Sequence, residues 1–237
     1  MNAPFVHQLR TGKVKKMGTP KAKKWGERYW ESGIYKKPVT DKVWLGKNGL
    51  TGDAVGDTKN HGGPEKAVFA YPVKHYEYWR ENLGLNAATM DEGMMGENLA
   101  VMYADEHSVC IGDTYAFGDT IIQVSQPRRP CWRPARRIQK KDFSLRIQNS
   151  GFTGWYYRVL SVGYVRSGTD LELRSRPHPK WTIAACNDVM YVQKNNIELA
   201  EELASCHYLS DNWKQTLQKR IAGKESNPKK RLFGPNQ

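Results

Sequence analysis

The stretch Arg176-Pro177-His178-Pro179 constrains this chain more than any other feature. Two prolines in three residues fix φ twice and remove two backbone donors, so neither a helix nor a central strand passes through. Before it the pattern is one of short β-branched runs broken by glycine turns. The clearest is TIIQVS at 120–125, which follows Gly118-Asp119 and stops at Pro127. Val39–Leu45, Val109–Ile111, Val159–Val165 and Leu171–Arg174 continue the pattern, with Ser167-Gly168 as a turn. Two helices are expected among these strands. One starts near Pro72, with Val73, Tyr76, Trp79 and Leu83 on one face; the other covers Ala135–Gln148 and stops at 149–151. Short strands with few helices predict a mainly β unit, a small barrel or folded sheet, over residues 1–177. After the prolines, Thr182–Tyr191, Ile197–Cys206 and Ser210–Ala222 read as short helices, with Thr182, Asn196 and Ser210 as N-caps. Residues 178–237 are therefore expected to form a three-helix domain with a basic tail, self-packed or docked on the first unit.

Charge separates the ends from the middle. The formal net charge is +13, of which residues 1–37 carry +8 and residues 219–237 carry +5, so residues 38–218 balance to zero. A basic excess confined to the ends reads as solvated arms, and specific nucleic-acid binding is not expected. Within the middle, Arg128 to Arg146 is a local basic run opposed only by Asp142. No apolar run is long enough to span a bilayer, and MNAPFVHQLRTGKV lacks the apolar core of a secretory signal, so the expected location is the cytoplasm. Cys110, Cys131, Cys186 and Cys206 show no paired spacing, and free thiols are expected.

Three segments carry candidate chemistry. In SQPRRPCW at 125–132, Pro127 and Pro130 stiffen the backbone before Cys131, and the flanking arginines favour its thiolate. A thiolate is a soft metal ligand; a small buried hydrophobe is the alternative fate. In the segment from Asp57 to Ala67, Gly62-Gly63 lets backbone approach an anion, with His61 and Lys66 as donors; a polar turn is the alternative. Gly93 to Leu99 places Asn98 and Glu97 on a glycine-rich turn, where Asn98 can donate and accept and Glu97 can orient a cation. Cys110, Cys186 and Cys206 read as core. His75 and His107 read as surface, and Arg129, Arg136 and Lys140 as solvent-facing.

Taken together, SGIYKKPV at 32–39, GLTGD at 49–53, HGGPEKAV at 61–68, HYEYW at 75–79, GENL at 96–99, IGD at 111–113 and SQPRRPC at 125–131 resemble the MOSC family. This family is named for the C-terminal domain of molybdenum cofactor sulfurase, and the likeness is to its stand-alone bacterial YiiM-like members. Thr51 and Arg133-Pro134 depart from the common pattern, and the lysine-rich 13–24 resembles an insertion.

The resemblance implies a MOSC β-barrel followed by a three-helix domain. It implies Cys131 as the molybdenum ligand, and Lys36, His61, Lys66, Asn98 and Arg128 around the molybdopterin cofactor. The implied activity is reduction of N-hydroxylated compounds such as hydroxylaminopurine base analogues. No iron–sulfur cysteine set or dinucleotide fingerprint is present, so electrons are expected from a separate redox protein. A sulfur carrier or transferase using a Cys131 persulfide is the alternative, and a noncatalytic polyanion binder a third reading. The oligomeric state is open, a homodimer included.

Overall fold

The computed structural model describes residues 3–234; the outer ends of the two expected units, 1–2 and 235–237, lie outside them. The main sheet has nine strands. Along its path run Thr169–Asp170, Phe5–Thr11, Leu99–Met102, Val68–Pro72, Trp155–Ser161, Thr120–Pro127, Thr114–Phe117 and Glu172–Ser175, with Lys37–Val39 also paired to Phe5–Thr11. The sheet is mixed, its parallel pair being Val68–Pro72 with Leu99–Met102. Residues 169–175 pair at both ends of the path, so the sheet curls on itself into a half-barrel.

Side-chain alternation explains how this sheet serves two cores. Val68 and Ala70 face the interior of the curl, whereas Phe69 and Tyr71 face a second cluster on the other side. Trp155 and Tyr157 likewise face in, and Tyr156 faces out. A strand covered on both faces reads as an unbroken apolar run, which is why VFAYP at 68–72 carries no period-2 signal. Pro72 ends this strand instead of starting a helix.

Eight α-helices occur among the described residues. The first, α1, is Thr58–His61, and α2 is His75–Leu83, closed by Gly84 in the left-handed region. The single helix expected over 135–148 is two, α3 (Trp132–Ile138) and α4 (Phe143–Ser150), because Gln139 takes a left-handed φ of 59° and breaks the ladder. Trp79, Phe143 and Ile147 from α2 and α4 pack on the outer face of the sheet. Then come α5 (Ile183–Tyr191), α6 (Ile197–Ser205) and α7 (Asp211–Ile221). Their N-caps are Thr182, Asn196 and Ser210, as expected, accepting from the amides of Ala185, Leu199 and Trp213. Cys186, Met190, Leu203 and Trp213 join the same core as Val124 and Tyr157, so the helical unit docks on the sheet. A fourth helix, α8 (Lys229–Phe233), lies in the basic tail: Leu232 is buried, and Arg231 donates to the Pro130 carbonyl and to Gln148.

The surface expectations for His75, Arg129 and Arg136 are corrected. His75 is buried, stacked on Phe152 and 2.7 Å from Glu106 Oε2. Within the lysine-rich 13–24, Lys15–Met17 pairs Trp30–Ser32 as a two-stranded sheet. Arg136 is 2% exposed: its guanidinium donates to the Trp25 and Arg28 carbonyls and lies against the Trp25 and Trp132 rings. Arg129 is half-buried and bonds Thr216, whereas Lys140 is exposed. Arg136→Ala is therefore expected to cost stability, by roughly 2–3 kcal/mol, because charge-assisted bonds to two carbonyls disappear. Chemical denaturation measures it, and a change within experimental error would mean that the buried guanidinium contributes nothing net.

Candidate functional site

The strand Thr120–Pro127 delivers the chain to a short loop that ends at Cys131, the N-cap residue of α3. The loop is held on several sides. The Arg128 amide donates to the Gly154 carbonyl, Ser144 Oγ donates to the Cys131 carbonyl, and Arg231 holds the Pro130 carbonyl. Cys131 is 4% exposed. Next to it opens a cleft of about 370 Å³, lined by Lys36, Asp53, Asp57, His61, Lys66, Phe69, Asn98, Arg128, Arg133 and Tyr156 among others. All five pocket residues expected from the sequence line this one cleft, although they come from four separate segments of the chain.

His61 Nε2 lies 3.3 Å from Cys131 Sγ, and Arg128 Nη2 lies 3.9 Å from it. Burial alone would push the Cys131 thiol up. The charge and hydrogen bond of His61, with the nearby Arg128 and Arg133 guanidiniums, outweigh it and hold the thiol well below its ordinary value. Burial works against a charged His61 too, yet Cys131 and Asp57 raise its pKa. The two shifts favour a thiolate–imidazolium pair. Asp57 completes the arrangement: its carboxyl is held low, chiefly by His61, and lies 3.2 Å from Arg133. His61 Nδ1 is 3.5 Å from Asp57 and has no shorter hydrogen-bond partner.

The remaining residues differ in how committed they are. Lys36 is ion-paired with Asp53, and Asn98 Nδ2 donates to the same carboxylate at 2.8 Å while its Oδ1 accepts from the Phe69 amide. These two therefore build the cleft wall. Burial lowers the Lys66 pKa, with Arg129 adding to the effect; its ammonium donates to the Asn60 carbonyl at 2.9 Å, leaving donor capacity for the cleft. Arg128 donates to the Met95 carbonyl at 3.0 Å, stacks 4.6 Å from the Phe69 ring centre, and keeps a buried Nε without a partner. Gly63 has φ of 94° with open space where a Cβ would be, so backbone conformation is the reason for glycine in HGGPEK. Glu97 accepts from Tyr76 and the Gly93 amide, bracing the turn that carries Asn98. Asp57, Arg133 and Tyr156 were not singled out from sequence. The helical offset of four residues between Asp57 and His61 was the available signal for the first.

The pair predicts a titration. Because the folded Cys131 pKa is depressed, the thiolate is present above that value and persists at pH below the ordinary thiol range, about 8.5. In protein without bound cofactor, thiolate ultraviolet absorbance should stay high as pH falls through that range. His61→Gln should shift the loss of the signal to higher pH, because burial is then less opposed. A titration unchanged by His61→Gln would remove the pair from this account.

A curled mixed sheet with a docked helical unit, and a buried cysteine on the loop beside a basic cleft, define a MOSC-type protein. The chain belongs to the MOSC domain family: the MOSC domain pattern matches residues 57–172, and the YiiM-like 3-alpha helix domain pattern matches 181–224. It is 36% identical to "Uncharacterized protein YflK" of Bacillus subtilis and 34% identical to "Protein YiiM" of Escherichia coli, each over 86% of this chain and 91% of the relative. It is also 34% identical to a "Reductase" of Gibberella moniliformis, over 85% of this chain and 34% of that longer protein. The crystal structure of YiiM from Geobacillus stearothermophilus superposes with a TM-score of 0.76 at 32% identity, covering 92% of this chain and 99% of that one.

Proposed function

We propose that this protein is a molybdenum-cofactor-dependent reductase of N-hydroxylated compounds, hydroxylaminopurine base analogues among them. The observation that carries the reading is the buried Cys131 sulfur, 3.3 Å from His61 Nε2 and 3.9 Å from Arg128 Nη2, two residues that line a cationic cleft. Four Lys/Arg and an imidazolium line or adjoin this cleft, against two aspartates and the thiolate, so the balance favours an anion. Among the described residues no group of three or more His, Cys, Asp and Glu could hold a metal. A single protein thiolate suits a metal whose other ligands arrive with a pterin cofactor. The partnerless Arg128 Nε and the donor capacity left on Lys66 fit its anionic groups. When bound, this cofactor supplies the two-electron redox chemistry.

In the proposed reaction the N–O bond of R–NHOH breaks, two electrons and two protons are taken up, and R–NH₂ and water leave. A separate redox protein provides the electrons. His61 holds a proton at Nε2 against Cys131 Sγ, and Arg128 fixes the loop by bonding Met95. Four buried, unpaired cysteines suit a reducing cytoplasm, and no helix among the described residues is long and apolar enough to cross a membrane. A low thiolate would also carry a persulfide sulfur. The two readings separate on assay. Turnover of 6-hydroxylaminopurine with a chemical reductant, by protein from molybdenum-replete cells, supports the reductase. Cyanide-labile sulfur on Cys131 without such turnover supports the carrier.

A further inference from the structure

The segment from Ser125 to Cys131 is held along its length by α7 and α8, neither of which lines the cleft. The Ser210 amide donates to the Ser125 carbonyl at 2.9 Å, and Ser210 Oγ donates to Gln126 Oε1 at 2.7 Å. Trp213 Nε1 donates to the Pro127 carbonyl at 3.0 Å, and Thr216 Oγ1 accepts from Arg129 at 2.7 Å. Ser210, Trp213 and Thr216 are spaced by three at the start of α7, so one face of that helix follows the segment outward. Pro127 and Pro130 have no amide to donate, so their carbonyls are the only backbone groups that can be held there. The Pro130 carbonyl is held from α8, by the Arg231 guanidinium. Residues 222–230 before it are exposed, yet the chain then turns back. Leu232 is buried, and Gly234 lies so close to Trp132 that a Cβ would meet the ring at 3.2 Å. Arg231 also donates to Gln148 at 2.8 Å and lies 5.9 Å from the Tyr191 ring centre. The whole of α8 lies beyond residue 224, where the three-helix pattern stops.

A peptide unit is planar, so a bond to its carbonyl orients the whole plane. The Pro130 carbonyl belongs to the plane that enters Cys131. The Cys131 carbonyl, held by Ser144 Oγ at 2.6 Å, belongs to the plane that leaves it. With both planes held, the two backbone dihedrals of Cys131, φ −126° and ψ 166°, are set, and with them the direction of its Cα–Cβ bond. We propose that Arg231 is a positioning residue for Cys131, acting with Ser144 to aim the sulfur at His61 Nε2 and Arg128 Nη2. A guanidinium suits the task, because its fork bonds Pro130 and Gln148 at once and the bonds are charge-assisted. The basic C-terminal tail is thereby a working part of the site, supplied from behind it. The inference rests on the reading of Cys131 as the reacting residue, but its test needs no cofactor, so the two can fail separately.

Alkylation of the full, cofactor-free chain by iodoacetamide at one fixed pH tests the proposal, with modification of Cys131 and Cys186 followed separately by peptide mass mapping. Cys131 is 4% exposed and should react slowly in the wild type. Arg231→Ala frees the loop to open locally, so Cys131 should react roughly tenfold faster or more. Cys186, fully buried in the main core, should keep its wild-type rate and reports any general loss of stability. Arg231→Lys should restore part of the protection, because an ammonium does not span both acceptors as the fork does. Ser144→Ala, which frees the other plane, should act in the same direction as Arg231→Ala. Lys229→Ala and Lys230→Ala, exposed on the same helix, should be neutral. A Cys131 rate in Arg231→Ala at or below that of the wild type would overturn the proposal. Equal acceleration at Cys131 and Cys186, or no protection regained by Arg231→Lys, would do so too.

Discussion

Cys131→Ala is expected to abolish reduction of N-hydroxylated substrates while the protein stays folded. The side chain is small and sits at the N-cap of α3 without a capping bond, so its loss removes little packing. The loop keeps its other anchors, since Ser144 and Arg231 hold backbone carbonyls and not the thiol. Outer partners of a metal ligand commonly cost about 10–100-fold when removed, and loss of the ligand itself should exceed that range. Steady-state turnover at matched thermal stability is the readout, with Cys186→Ala as comparison. Cys186 is fully buried in the main core, and burial pushes its thiol well above the ordinary range, so its change should lower stability and leave the turnover of the folded fraction intact. Near-normal turnover by Cys131→Ala would end the assignment.

The second large effect is expected at Arg128. Arg128→Ala removes a guanidinium that touches Met95, Phe69 and the Cys131 sulfur at once, and leaves an anionic group in the cleft poorly matched. Charge-assisted hydrogen bonds of this kind contribute on the order of 1.5–3 kcal/mol, so pterin retained per protein should fall roughly tenfold or more. Arg128→Lys should recover only part, because an ammonium cannot span the same fork of acceptors. Lys140, exposed two residues beyond α3, is the fitting control and should be neutral as alanine. Arg129 and Arg136 cannot serve as controls, since one bonds Thr216 and the other is buried under Trp25. Equal pterin loss in Arg128→Ala and Lys140→Ala would reduce the basic run to a solvated face.

What could be read from sequence followed from how local the cause was. The three N-caps of α5 to α7 were legible because a cap is a contact over three residues. The strand Thr120–Pro127 was legible from its β-branched run and closing proline. Val68–Pro72 was not, because burial on both faces erases alternation and Pro72 imitates a helix start. The split between α3 and α4 depends on a left-handed Gln139, a residue with no strong preference for that conformation. His75 and Arg136 look like surface residues until Glu106, Phe152, Trp25 and Trp132 arrive from distant segments. In the site, the motifs pointed to Cys131, His61, Lys66, Asn98, Arg128 and Lys36. Their division of labour required coordinates: Lys36 and Asn98 share Asp53, whereas His61 and Arg128 face the sulfur. The basic ends were read as arms, because charge along the chain says nothing of where α8 docks.

Whether Cys131 holds molybdenum is decided by molybdenum and pterin per polypeptide, measured on protein from molybdenum-replete cells. The wild-type protein should retain both, and Cys131→Ala, equally folded, should retain no molybdenum. A folded wild-type protein that carries neither under those conditions, or a Cys131→Ala variant that holds molybdenum as well as the wild type, would contradict it.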